Sequence, residues 1–494
     1  MKGREAGRLD ADVCVIGAGA GGAVVAAELA EGGMSVVVLE EGHWHDPDGF
    51  TARTPEMLAR LYRDGAQIMT LGKPPILLPL GRGVGGTTLI NSGTCFRTPA
   101  HVLERWQREF GVDVSEQSLG PCFERVEKAL SVSEVTPELA GANAEVARRG
   151  AERLGWSHGY LRRNARGCVG SGVCTLGCPT SAKQHTGITY VPRAQQAGAR
   201  IVTGAHVQRV IVERGRARGA QARMASGAPI EVRSPIIVVA AGTIHTPLLL
   251  GRSGIGSQSG QLGRNLSLHP ATAIFARMDE IVDMSRGVPQ SFYVDEFAQE
   301  GIMFEGAAGP PAYAAMALPL TGRPHAEAMA DYRRLALFGL MVSDSSRGSV
   351  RAVAGRPLIR YDLVQDDLVR FRKGLARMCE LFDAAGAREV HLPLPEGVSP
   401  EHARLRDLKL MAFHPLGTAR ADARPTHGVI DGDLAVHGVD GVYVADGSAA
   451  PSSLGVNPQL TIMALATRLA FGLLGKDVHG AQTEQDPEEA PCRS

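Results

Sequence analysis

Two rhythms of apolar and polar residues divide the chain. Residues 12–17 (DVCVIG) read as a buried strand, with an unbroken apolar run from Val13 to Ile16. A glycine loop and an alanine-rich stretch of helical character follow (AGAGGAVVAAELAEGG), then a second β-branched run, SVVVLE, ending at Glu40. Unbroken apolar runs mark strands buried on both faces, so the N-terminal segment predicts a β–α–β unit. Residues 43–80 lose the rhythm and carry scattered Pro and Gly, which predicts a long excursion over the surface or over a bound group. Residues 101–131 predict helix, and residues 198–240 predict short strands separated by turns, ending in SPIIVVAAG. Between 268 and 360 the pattern alternates in strand fashion without helices between, which predicts a separate antiparallel sheet. Residues 366–388 predict helix. The run VYVADGSAAPSSLGVNPQLTIMALATRLAFGLL predicts strand, loop and helix, and the polar, acidic stretch from about residue 480 predicts disorder.

The predicted fold class is α/β: a Rossmann-like nucleotide-binding domain interleaved with an α+β substrate domain built on an antiparallel sheet. The nucleotide domain takes residues 10–130, 198–267 and 411–479. A cysteine-rich cap insertion takes 131–197, the substrate domain 268–410, and a tail 480–494.

The bulk numbers narrow the partners. Lys plus Arg and Asp plus Glu each count 52 in 494 residues, so no net field recruits nucleic acid or an anionic membrane. The longest apolar run, Ile236 to Leu250, is interrupted by Gly242, Thr243, His245, Thr246 and Pro247 and is too short to span a bilayer. The polar opening MKGREAGRLDADV carries no secretory pattern, so a cytoplasmic location is expected.

Gly17-Ala18-Gly19-Ala20-Gly21-Gly22 fits G-x-G-x-x-G between a strand and a helix. There Gly17 permits a tight turn, Gly19 lets backbone approach a pyrophosphate, and Gly22 lets the helix pack on the strand. Glu40, ending the second strand, is placed to accept ribose hydroxyls. A second glycine cluster, GRGVGGTTLINSG, spans Gly81 to Gly93 and would let backbone pass against a flat ring. A β–α–β unit at one end of the chain and Val444-Ala445-Asp446-Gly447 near the other favour one long FAD over a nicotinamide cofactor.

At these residues the chain resembles the glucose-methanol-choline (GMC) oxidoreductase family, nearest to its long-chain alcohol oxidase and FAD-dependent sugar dehydrogenase types. The likeness runs in order through the N-terminal unit, GRGVGGTTLINSG, AHVQRV, VVVAAGTIHTPLLLGRSGIG, LGRNLSLHP, FHPLGTAR and GVNPQLTIMALATRLA. It implies that Gly17, Gly19 and Gly22 hold the FAD pyrophosphate, Glu40 the adenosine ribose and Val207 the adenine. It places Gly83, Gly86 and Asn91 along the flavin and its diphosphate, Asp446 and Gly447 at the ribityl and pyrophosphate region, and Pro458 at the pyrimidine edge of the ring.

The same resemblance makes His414 (FHPLGT) and Asn457 (GVNPQLT) the active-site pair. The residue types suit hydride removal from an alcohol: imidazole accepts the hydroxyl proton, and a carboxamide orients the hydroxyl. Outside such a motif, His414 would be an ordinary loop histidine and Asn457 a turn former. His269, His427 and His437 are expected to be structural. The implied activity is oxidation at the CH–OH group of an alcohol, sugar or sterol, with oxygen or an external carrier as electron acceptor. An FAD-containing lyase and an electron-transfer flavoprotein subunit are the competing readings.

Cys168, Cys174 and Cys178 fall within eleven residues and are followed by Pro179. Their spacing is that of the ferredoxin run C-x2-C-x2-C-x3-C-P with Ser171 in place of its second cysteine. The segment resembles the insertion that carries a [3Fe-4S] cluster in bacterial sugar dehydrogenases, and equally the corresponding segment of long-chain alcohol oxidases. A local disulfide, a zinc site completed by His185, and free thiols are the other readings.

Overall fold

The computed structural model describes residues 7–477. Its centre is a five-stranded, all-parallel sheet in the order Val442–Val444, Ile236–Val239, Val13–Ile16, Val36–Glu40, Arg200–Thr203. Val13, Cys14 and Val15 are completely buried, as an unbroken apolar run in a central parallel strand requires. The C-terminal strand Val442–Val444 joins the sheet that the N-terminal unit begins, and the helix Ala20–Glu31 packs on the helix Gln459–Leu474. Both ends of the chain therefore build one domain. Beside it, Gly7–Asp10, Pro229–Arg233, Arg216–Met224 and Ala205–Glu213 form a four-stranded sheet.

A larger, eight-stranded sheet forms the second domain. Its order is Ile76–Leu77, Leu410–Met411, Ala271–Arg277, Leu335–Val342, Ile302–Gly306, Phe292–Val294, His158–Tyr160, with Glu389–His391 also pairing to Ala271–Arg277. All pairings are antiparallel except that of Leu410–Met411 with Ile76–Leu77. One face carries Ile274, Phe304 and Phe338 into a core closed by Phe371, Leu375 and Met378 of the helix Gln365–Ala385. On the other face Ala271 and Met341 are cross-strand partners, as are Ala273 and Gly339, and Gly339 and Glu305. These five line a cavity between the domains. Alternation along a strand thus gives one sheet a core face and a site face.

The structure departs from the pattern reading in places. The segment 43–80 holds the helix Thr54–Leu61 and sends Ile76–Leu77 into the larger sheet. His158–Tyr160, within the expected cap insertion, also joins that sheet. The stretch 268–360 contains the helices Pro311–Ala317 and Gly322–Ala330, whose alanines bury against Phe275, Leu335 and Leu337. The helical stretch 101–131 breaks at Gly111, which has φ +63°, between Trp106–Phe110 and Glu116–Ala129. The expected disorder of 480–494 lies outside the described residues.

Candidate active site

A single elongated cavity of about 600 Å³ runs from the first glycine loop to the site face of the larger sheet. Gly17 turns the chain out of its strand at φ +102°, a conformation that costs an L side chain dearly. A Cβ on Gly22 would lie 2.0 Å from the Gly17 carbonyl oxygen and 2.9 Å from Ala240 Cβ. Gly22 lies outside the cavity lining, and its close contacts are those of helix–strand packing. The two glycine loops abut. Gly85 N–H donates to Ala18 O at 3.0 Å, and a Cβ on Gly86 would come within 2.9 Å of Gly19 Cα. Gly17, Gly19, Gly83 and Gly86 all face the cavity with bare backbone.

Carboxylates fix the surrounding loops. Glu40 is buried and accepts from Ala18 N–H at 2.8 Å and Gly42 N–H at 2.7 Å, closing the loop that it also lines. Burial raises its pKa, and these two backbone donors pull the other way. Its neighbour Glu41 faces the same cavity, paired with Arg63 and Arg82. Asp446 accepts from Gly242 N–H at 2.9 Å, Thr246 Oγ1 at 2.5 Å and Ser448 N–H at 2.8 Å, tying two parallel-strand ends together beside Gly447. Val207 lines the cavity from the four-stranded sheet. Asn457 and Pro458 bring the start of the 16-residue helix Gln459–Leu474 to the cavity, with its free N–H groups and the positive end of its dipole. Asn91 Nδ2 donates to Gln459 Oε1, joining the second glycine loop to that helix.

The structure brings His414 and Asn457 together across 43 positions of sequence, with His414 Nε2 3.3 Å from Asn457 Nδ2. His269 stands behind them. Its Nδ1 is 3.3 Å from His414 Nδ1, and its Nε2 accepts the N–H groups of Leu454 at 2.9 Å and Gly455 at 3.2 Å. Desolvation holds His414 well below the ordinary imidazole value, and His269 is held near 3 by its own burial. Both rings are therefore neutral at neutral pH. Facing the pair from the larger sheet is Glu305, a residue the pattern reading passed over. It is 5% exposed, and its Oε2 accepts from Gln290 Nε2 at 3.1 Å and Asn457 Nδ2 at 3.4 Å. His269, expected to be structural, contacts His414, the candidate active-site histidine. The signal for Glu305 was present in IMFEG, a lone acid in an otherwise apolar strand.

The three cysteines do not converge. Cys168 packs against the core of the larger sheet, Cys174 accepts from Arg163 at 3.2 Å, and Cys178 accepts from Lys183 N–H at 3.4 Å. All three are free thiols, and among the described residues no three His, Cys, Asp or Glu side chains are grouped to hold a metal ion. His185 Nδ1 accepts instead from Gly187 N–H. The iron–sulfur cluster, one of the readings open above, therefore has no grouped ligand set among the described residues. The segment contributes Lys183, which is 1% exposed and donates to the carbonyls of Leu89 at 2.9 Å, Asn91 at 2.5 Å and Cys174 at 2.8 Å. It pins the second glycine loop from behind.

Known proteins share this fold. The N- and C-terminal family profiles of the GMC oxidoreductases match residues 58–271 and 344–466, and an NAD(P)-binding Rossmann-like profile matches 15–74. An uncharacterized GMC-type oxidoreductase of Mycobacterium tuberculosis is 41% identical over 95% of this chain and 76% of its own. A long-chain-alcohol oxidase of Arabidopsis thaliana is 27% identical over 94% of this chain and 66% of its own. Among solved structures, a formate oxidase of Aspergillus oryzae superposes with TM-score 0.75 over 96% of this chain and 99% of its own at 16% identity. Pyridoxine 4-oxidase of Mesorbium loti superposes with TM-score 0.74 over 93% of this chain and 98% of its own at 20% identity. With its interleaved Rossmann-like domain, its inter-domain cavity and this identity over nearly its full length, the chain belongs to the GMC oxidoreductase family.

Proposed function

We propose that the protein is an FAD-dependent oxidoreductase that converts an alcohol to its carbonyl compound. The observation that carries this reading is the cavity itself: a bare glycine cradle at one end, and His414 with Asn457 against a helix N-terminus at the other. The donor set fits a dinucleotide. Gly17 and Gly19 leave backbone open to a pyrophosphate, Glu40 and Val207 stand where the adenosine end would lie, and Gly83, Gly86 and Asn91 would flank the ring. Asp446 and Gly447 would support the ribityl chain, and Pro458 would meet the pyrimidine edge. Bound there, FAD would supply the hydride acceptor.

The chain's own part is positioning and proton handling. His414 and Asn457 hold the hydroxyl oxygen so that the carbinol C–H points across the cavity. The N-terminus of Gln459–Leu474 favours negative charge at the far edge of the site. Ala271, Ala273, Gly339 and Met341 leave an apolar space on the sheet side, which suits an alcohol with an apolar body. The likeness to a long-chain-alcohol oxidase supports that substrate class and dioxygen as the final electron acceptor. Anaerobic addition of primary alcohols of increasing chain length to the purified holoprotein tests the reading. Loss of the oxidised flavin bands supports it. Persistent bands with every alcohol favour a lyase or a non-catalytic flavoprotein.

A further inference from the structure

A separate concavity of about 370 Å³ shares no lining residue with the inter-domain cavity, and arginine dominates it. Arg264, Arg347, Arg351 and Arg360 line it, and Asp362 is the one carboxylate among its lining residues. The fold gathers them from two stretches of chain. Ser349–Val353 pairs antiparallel with Arg356–Arg360, with Ser349 opposite Arg360 and Arg351 opposite Leu358. Alternation puts Ser349, Arg351 and Arg360 on one face of this hairpin and sends Val350 and Ile359, each 3% exposed, to the core face. The turn that holds Gln261 and Arg264 is fastened alongside: Val350 N–H donates to Gly263 O at 2.6 Å, and Gly348 N–H to Leu266 O at 2.7 Å.

The charges there are not answered within the chain. Arg264 and Arg351 are exposed and have no carboxylate partner among the described residues. Arg347 spends Nη1 on the carbonyls of Asp344 at 2.9 Å and Ser346 at 2.6 Å, which fixes the guanidinium and leaves its other N–H groups free. The Asp344 carboxylate is 4.0 Å away, and it already accepts from Ser267, Leu268 and Tyr361. Only Arg360 has a lining carboxylate, Asp362 at 3.2 Å. Surface arginines elsewhere, such as Arg148, Arg323 and Arg388, meet carboxylates at 2.6–2.7 Å. The whole chain is balanced at 52 cations and 52 anions, so this local excess is not the mark of a basic protein.

We propose that this concavity binds a small anion carrying two or more linked phosphoryl groups. Guanidinium forks pair with phosphoryl oxygens through two parallel N–H bonds, and a single phosphate would leave most of the four forks unused. A recess of this volume holds a small molecule, whereas an acidic protein surface would meet a flat patch. Asn265 Nδ2 donates to Gln261 Oε1 at 3.0 Å, which presents the Gln261 amide N–H groups as neutral donors beside the arginines. Inorganic polyphosphate and a nucleoside diphosphate offer the same chemistry. The site stands independently of the alcohol reading.

Isothermal titration calorimetry of the flavin-saturated holoprotein in phosphate-free buffer tests it, with ADP, inorganic tripolyphosphate and orthophosphate as probes. Occupied flavin sites keep ADP out of the glycine cradle. ADP and tripolyphosphate are expected to bind saturably, more tightly than orthophosphate, and to weaken as salt rises. Tighter ADP assigns a nucleotide to the site, and tighter tripolyphosphate assigns the inorganic chain. Joint Arg264→Ala and Arg351→Ala substitution is expected to weaken both probes by about 10-fold or more, at unchanged flavin content and melting temperature. Arg148→Ala is expected to change neither. No saturable heat from either polyphosphate, or a double variant that binds them as the wild type does, overturns the proposal. So does binding of polyglutamate in their place, which would make the recess a docking point for an acidic protein.

Discussion

His269 Nδ1 lies 3.3 Å from His414 Nδ1, and the far nitrogen of His269 is already committed to the N–H groups of Leu454 and Gly455. The backbone of the 454–455 turn therefore fixes the orientation of the His269 ring that stands against His414. His269 thus links that turn to the His414 ring. Replacing it with Ala frees the His414 ring and leaves two buried N–H groups without an acceptor, at about 1–3 kcal/mol each. The expected outcome is a kcat lowered about 10-fold or more with KM little changed, together with a lower melting temperature. Steady-state kinetics at unchanged flavin content check it, and an unaltered kcat would remove His269 from the account.

Gly22 is the sharpest test of the cradle. Its missing Cβ is replaced by the Gly17 carbonyl oxygen at 2.0 Å, and that contact is backbone, which cannot rotate away. Gly22→Ala should push the helix Ala20–Glu31 off its strand, costing about 1–3 kcal/mol and lowering flavin retention. The ratio of flavin to protein absorbance after gel filtration measures it.

Lys183 holds three carbonyl oxygens with one buried ammonium, and burial lowers its pKa to about 8. Lys183→Met leaves all three acceptors unsatisfied, so a loss of about 3 kcal/mol or more is expected. Because two of the carbonyls belong to Leu89 and Asn91, flavin release should accompany the destabilisation. Urea unfolding monitored by flavin fluorescence separates the two effects.

Acid should unfold the protein through its buried histidines. His185 is pushed down to about 3 by burial and by Lys183, and His245 to about 4 by burial first and Arg63 second. Below the ordinary value of 6.5 the unfolded chain takes up protons that the folded chain refuses. Stability therefore falls as pH drops from about 6.5 towards 3, by on the order of 1.4 kcal/mol per pH unit for each such group. His185→Gln should flatten that slope by one proton between pH 6.5 and 4, relative to the wild type. Urea midpoints across the range provide the measurement, and an unchanged slope would contradict the assignment.

The parts of the fold that repeat a local period were legible in the sequence. The apolar stretches VCVI and VVVL within DVCVIG and SVVVLE gave the central parallel strands, because burial on both faces leaves no alternation along them. GAGAGG gave the turn because a strand, a loop and a helix must meet within a few residues. Long-range pairing was not legible. Nothing local in Ile76–Leu77 or His158–Tyr160 announces that they close the larger sheet, since two or three residues carry no period. His269 and Glu305 were missed for a related reason. Their chemistry comes from Leu454, Gly455 and Asn457, which are more than 150 positions away. The cysteine spacing left several readings open, and among the described residues no three of the possible metal ligands are grouped.

The absorption spectrum of the purified holoprotein, before and after a long-chain primary alcohol is added without oxygen, tests the central claim most directly. The account predicts two flavin bands at the start, without an iron–sulfur shoulder, their disappearance on addition, and aldehyde formed in proportion to flavin. Protein that binds no flavin on reconstitution, or flavin bands that survive saturating alcohol, would contradict it.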